Sequence, residues 1–157
     1  MSIVKKIIQY LGKELCLFGI GGVIYMLIEI LWRGRTHWTM GIVGGLCFVC
    51  IGLINEIFTY GMYIESQCII GSIIVTFFEF ISGYIINIKL RWNVWDYSNL
   101  PLNIMGQVCL LFSIFWVFLS FVGIYCDDWI RFKIWKEPFP HYIWWLKEKV
   151  FKEKKKR

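Results

Sequence analysis

CIIGSIIVTFFEFISGYIINI, residues 68–88, decides the fold. It carries one charge, Glu79, in an apolar run. A helix rising ~1.5 Å per residue draws such a run out to about 30 Å, the thickness of a bilayer's hydrocarbon. Three further stretches read the same way: Leu15–Leu31, Trp38–Phe58 and Pro101–Tyr125. Asn55 and Glu56 interrupt the second near its end. Pro101 suits a first helical turn, where its missing N–H costs nothing.

Composition points the same way. The chain is 58% hydrophobic and 19% aromatic, with a mean hydropathy of +0.60, whereas a soluble domain is roughly 45–50% apolar. A chain of 157 residues leaves too much of its surface outside the core to bury that excess in water. The expected architecture is an all-α integral membrane protein of four transmembrane helices, residues 15–126, arranged as two helical hairpins.

The flanks read as amphipathic. Ile3, Ile7, Leu11 and Leu15 recur every four residues, with Lys5, Lys6 and Lys13 off the stripe, so residues 1–14 predict a helix lying on the membrane. Asp127 and Asp128 predict a polar exit into a basic tail, residues 127–157, with a second amphipathic stretch from His141 to Phe151. The segment from Lys147 to Arg157 has seven basic residues against Glu148 and Glu153, which suits attraction to anionic lipid. A nucleic-acid role does not fit beside the spans. With four spans both ends share a side, and that side carries thirteen Lys and Arg against four, which predicts cytoplasmic termini in a cell membrane.

A faint internal repeat accompanies the hairpins. Glu29, a basic aromatic loop and Gly44-x-x-Cys47 are echoed by Glu79, a second such loop and Gly106-x-x-Cys109. The six cysteines lie in or beside apolar segments, and no second pair or nearby His completes a metal set around Cys47 and Cys50. They read as small packing residues. Gly41 and Gly45 form a GxxxG, the signature of closely packed helices. Neither a cofactor nor a metal is implied.

A charge inside a span costs roughly 2.5–3.5 kcal/mol on insertion scales, so each needs a partner, water or a ligand. Glu79 sits deep in the third span and Glu29 near the end of the first. The expected topology gathers them with Arg33, His37, Trp38, Asn87, Arg91, Trp95, Asp96, Asn103 and Gln107 in one half of the membrane. Asn103 and Gln107 would share a helix face. Two readings stand: a network that locks the helices, or an outward-facing polar pocket for a small polar or anionic solute. The histidines, His37 and His141, fall in different flanks. No phosphate-binding loop, HExxH or GxSxG occurs, so neither an ATPase nor a hydrolase is signalled.

RGRTHWTMGIVGGLCFVCIGLINE, FFEFISGYIIN and WNVWDYSNLPLNIMGQVCLLFSIFW resemble the type IV ABC-transporter, or CmpB-like, family of membrane proteins. The likeness runs from about Glu29 to Asp128 and marks Glu29, Arg33, His37, Trp38, Gly44, Cys47, Glu79, Gly83, Trp95, Asp96, Tyr97, Asn103, Gly106 and Gln107. It implies a multi-spanning, permease-like transport component. With no Walker A, it also implies a separate ATPase subunit, and four spans suggest a homo-oligomer. The alternatives are a lipid-handling enzyme, with Glu79 or Glu29 as base and Arg33 and Arg91 on a phosphate, or a scaffold subunit without a ligand.

Overall fold

The computed structural model of the chain describes residues 3–58, 62–145 and 147. Its helices are α1 (Ile3–Arg33), α2 (Trp38–Phe58), α3 (Ile64–Gly83) and α4 (Leu110–Ile130). α3 runs on through a π-helical turn, Tyr84–Lys89, and α4 through another, Arg131–Trp135. All four are long and apolar enough to cross a membrane. A helix suits that medium because it satisfies its own backbone N–H and C=O groups. Between α3 and α4 a two-residue hairpin pairs β1 (Asn103–Ile104) antiparallel with β2 (Val108–Cys109).

Three boundaries differ from the sequence reading. α1 is unbroken over 31 residues, so the stretch expected as a separate surface helix forms, from Ile3 onward, the first turns of the span. No proline precedes Pro101 to end that helix.

The fourth span starts at Leu110, not Pro101. The side chain of Asn103 accepts from the Gly106 N–H at 3.0 Å and donates to the Leu100 carbonyl at 2.7 Å. Such local bonds offer the backbone an alternative to the helix. Leu102, Met105 and Gly106 take positive φ, and the chain turns back on itself.

At its other end the same helix continues past Tyr125. Asp127 and Asp128 do not exit into solvent; both are buried. Arg131 sits one turn beyond Asp127 and bonds it at 2.5 Å, which neutralises the acid inside the bundle. Of the tail, residues 146 and 148–157 lie outside the described residues, and with them five of the eleven residues of the second amphipathic stretch.

The two expected hairpins are the two closest-packed pairs: α1 on α2, and α3 on α4. α2 also touches both α3 and α4 and forms the centre of the bundle. Backbones meet at the α1–α2 seam, where a Cβ on Gly22 would strike the Gly41 carbonyl oxygen and one on Gly45 that of Phe18. This is small-residue packing, worth what close van der Waals contact supplies in lipid. Ile51, Cys68, Val75, Trp116 and Ile124 form the core between α2, α3 and α4. The two Gly-x-x-Cys motifs differ in setting. Gly44 and Cys47 lie within α2, whereas Gly106 and Cys109 belong to the hairpin before α4.

α1 and α4 converge only at the end that holds the termini. There Leu17 packs with Ile130, and Glu14 meets Arg131. Toward the loop end they part, and a cleft opens between them.

Candidate functional site

The cleft is framed by the loop-end halves of α1 and α4. Ile28, Glu29, Trp32 and Arg33 line one side; Phe112, Phe115, Trp116 and Leu119 line the other. Its volume is about 370 Å³. A smaller cavity of about 100 Å³ adjoins it, sharing Tyr25, Ile28, Trp116 and Leu119 and reaching inward to Glu79 and Ser120. The walls are overwhelmingly apolar.

Polar groups sit at two depths. At the mouth, Arg33 bonds Glu29 at 2.7 Å, one helical turn away, and the Val94 carbonyl at 3.0 Å. The Thr36 hydroxyl donates to the other Glu29 oxygen at 2.6 Å. Deeper, Glu79 accepts from the Trp116 indole N–H at 2.9 Å and from the Tyr97 hydroxyl at 3.0 Å. Burial pushes the Tyr97 hydroxyl well above its ordinary range, and the Glu79 carboxylate adds to the effect. The phenol therefore keeps its proton and remains a donor. Tyr97 stacks on Phe112 with ring centroids 4.6 Å apart, and Tyr25 lies 6.2 Å from Trp116.

Behind the cleft a second group holds the long loop. Gln107 accepts from the Asn87 amide at 2.9 Å, and its carbonyl accepts from the Trp95 indole at 3.0 Å. Asn87 in turn accepts from the Val94 N–H at 2.7 Å. A Cβ on Gly83 would crowd Gln107 and Trp95, which is why the loop docks there.

Of the residues expected in one polar pocket, Glu29, Arg33 and Glu79 line the paired cavities. Asn87, Trp95 and Gln107 form the loop-docking group. His37 bonds Thr39 and packs with Trp38 and Trp92 in an aromatic cluster, centroids 5.4–6.1 Å apart. Asn103 holds its own turn. Arg91 is exposed at a positive φ, and Asp96 is exposed with Ser98 bonded to it. The Ser98 hydroxyl and N–H hold the Asp96 carboxyl below the usual carboxylate range.

Sequence reasoning passed over Tyr25, Thr36, Trp116 and Ser120. Tyr25 precedes Glu29 by one helical turn, a spacing that signals a shared face. Trp116 and Ser120 carried no comparable signal.

A family model covers residues 10–148, under the description "Putative ABC-transporter type IV". The chain belongs to that family. The match extends beyond the Glu29–Asp128 region of the resemblance and takes in most of α1 and the segment after α4. No curated protein and no solved structure matches the chain. Its family makes it a transporter-related membrane protein.

A second polar cluster occupies the terminal end. Arg131 grips Glu14 at 3.0 and 3.1 Å as well as Asp127, and Lys13 bonds Glu137 at 2.8 Å. Asp128 accepts from Asn55 at 2.7 Å and from Tyr142 at 2.6 Å. The segment after α4 is strapped to the start of α3 by the Ile64 N–H on the Ile143 carbonyl at 3.0 Å. These groups are tied to one another, and the cluster reads as a clamp.

Proposed function

We propose that this protein is the membrane component of a transport system and that the cleft between α1 and α4 takes its solute laterally from the bilayer. One observation carries the reading: an apolar cleft of about 370 Å³, open between two helices that are clamped together at their other end. Pockets for small molecules are mostly apolar, with a few placed polar groups. The polar groups of this half are engaged with one another, which favours a mainly apolar solute over the small polar or anionic one suggested by the sequence. Energy would come from a separate ATPase subunit, since the chain has no phosphate-binding loop. The termini would face the cytoplasm, and the basic tail the anionic lipid there.

The test is photolabelling in proteoliposomes with a neutral alkyl diazirine, mapped by peptide. Saturable labelling of residues 25–33 and 112–122, abolished by filling the cleft with Leu119→Trp, is expected. Labelling spread evenly over all lipid-facing helix surfaces, without saturation, would remove the reading.

A scaffold role has its own support in the mutual bonding of Glu29, Arg33, Asn87 and Gln107. A scaffold would show no saturable labelling, so the same experiment separates the two.

A further inference from the structure

Glu79 is buried on the wall of the smaller, inner cavity, and among the described residues no cationic side chain pairs with it. Its two bonds come from neutral donors, Tyr97 and Trp116. Arg33, the cation at the mouth, is already committed to Glu29. The paired cavities therefore carry one negative charge in excess whenever Glu79 is ionised. A carboxylate at this depth requires a proton or a cation.

The surroundings suit a cation with an apolar body. Tyr25, Trp116, Tyr97 and Phe112 present aromatic rings along the route from the cleft to Glu79. Ring faces attract cations, more strongly where water is excluded. Ser120 lies one turn from Trp116, is 1% exposed, and its hydroxyl oxygen has no partner among the described residues. It lines the same cavity as Glu79. A buried hydroxyl oxygen on that wall is an acceptor for the N–H groups of an ammonium ion.

Resting on the cleft reading above, we propose that the solute class is a lipophilic ammonium ion, its charge on Glu79 and its apolar body in the α1–α4 cleft. No covalent step is involved. The cation takes the place of the proton that neutralises Glu79 when no solute is bound, and that proton passes to water.

Three probes of one shape test the charge: phenylpropylammonium, phenylpropanol and phenylpropionate, titrated calorimetrically into the full-length protein in detergent. The wild type is expected to bind the ammonium about tenfold or more tighter than the alcohol, as a charge-assisted bond replaces a neutral one, and the carboxylate weakest. Glu79→Gln should erase the preference, so that ammonium and alcohol bind equally. Ser120→Ala should reduce the preference in part. Glu79→Asp, which keeps the charge, should retain the preference at lower affinity and serves if the Gln variant fails to fold. A preference that survives Glu79→Gln, or equal binding of ammonium and alcohol by the wild type, overturns the proposal and leaves the cleft reading standing. Binding of none of the three removes both.

Discussion

Arg131 at the foot of α4 holds Glu14 of α1 with both terminal guanidinium nitrogens, at 3.0 and 3.1 Å, while its Nε bonds Asp127. This is the planar fork that suits carboxylates. It joins the first and last spans at one end of a bundle whose other end opens as a cleft. The clamp and the cleft are thus two ends of one helix pair, and the first sets the splay of the second.

Removing the guanidinium leaves the fully buried Asp127 without its cation and Glu14 with only Lys13, at 3.9 Å. Arg131→Met is expected to destabilise the protein by about 3–5 kcal/mol, the range for breaking a buried pair by deleting one partner. Arg131→Lys should recover only part, because a point charge cannot reach Glu14 and Asp127 with the same geometry. Adding Asp127→Asn to Arg131→Met should restore part of the loss. Thermal unfolding in detergent reads all three. A loss below about 1 kcal/mol would mean the clamp is not holding the bundle.

The α1–α2 seam makes a different prediction. Gly22 and Gly45 each face a backbone carbonyl of the opposite helix, so no rotamer change relieves an added side chain. Gly22→Val or Gly45→Leu should separate the helices and cost at least about 1–3 kcal/mol, as overpacking does. Gly19→Val, at a position with open space around its Cβ, should be nearly silent. Comparing the midpoints of the three variants in a detergent denaturation series checks the contrast.

The side of the membrane is also testable. Thirteen basic residues flank the termini and four the loops, so a fluorescent reporter fused after Arg157 should mature in the cytoplasm. A phosphatase reporter inserted at Gly34 should be active on the far side. Seven of the thirteen lie from Lys147 to Arg157. Replacing those seven with Gln should weaken the orientation, giving a mixed population by protease protection.

What could be read in advance follows from which interactions are local. α2 was legible to its ends because its apolar run, Trp38–Phe58, is the helix itself. Glu79 stood out because an acid in a span is rare. The clamp was not legible: Glu14 and Arg131 are 117 positions apart, and Asp127 beside Asp128 looked like the start of a solvated tail. Its i,i+4 partner Arg131 was the signal that pointed the other way. The fourth span was placed too early because Pro101 fits a first helical turn, yet Asn103 and Gly106 compete for the same backbone. Site residues divided for a similar reason. Polar character showed where Glu29 and Gln107 lay in the chain, but not that their bonding capacity is spent on neighbours.

That competition at the hairpin supplies a matched pair of variants, one costly and one nearly silent. Gly106 has φ +68, and a Cβ there would come within 2.5 Å of the Ser98 hydroxyl and 2.7 Å of Asp96. Gly106→Ala therefore meets both backbone strain and a clash, and should destabilise the hairpin by about 1–2 kcal/mol. Met105 also sits at positive φ, at 54°, but is exposed and makes no side-chain bond that glycine would lose. Met105→Gly relieves the strain while loosening the unfolded chain, two effects of similar size, so it should change stability by less than about 0.5 kcal/mol. Amide exchange over residues 96–109 separates the two. Faster exchange in Gly106→Ala should extend to the Tyr97 N–H, which bonds the Gly106 carbonyl at 2.7 Å. Because Tyr97 also donates to Glu79, the same variant should loosen the wall of the cleft. Unchanged exchange at Tyr97 would show that the hairpin and the cleft are independent.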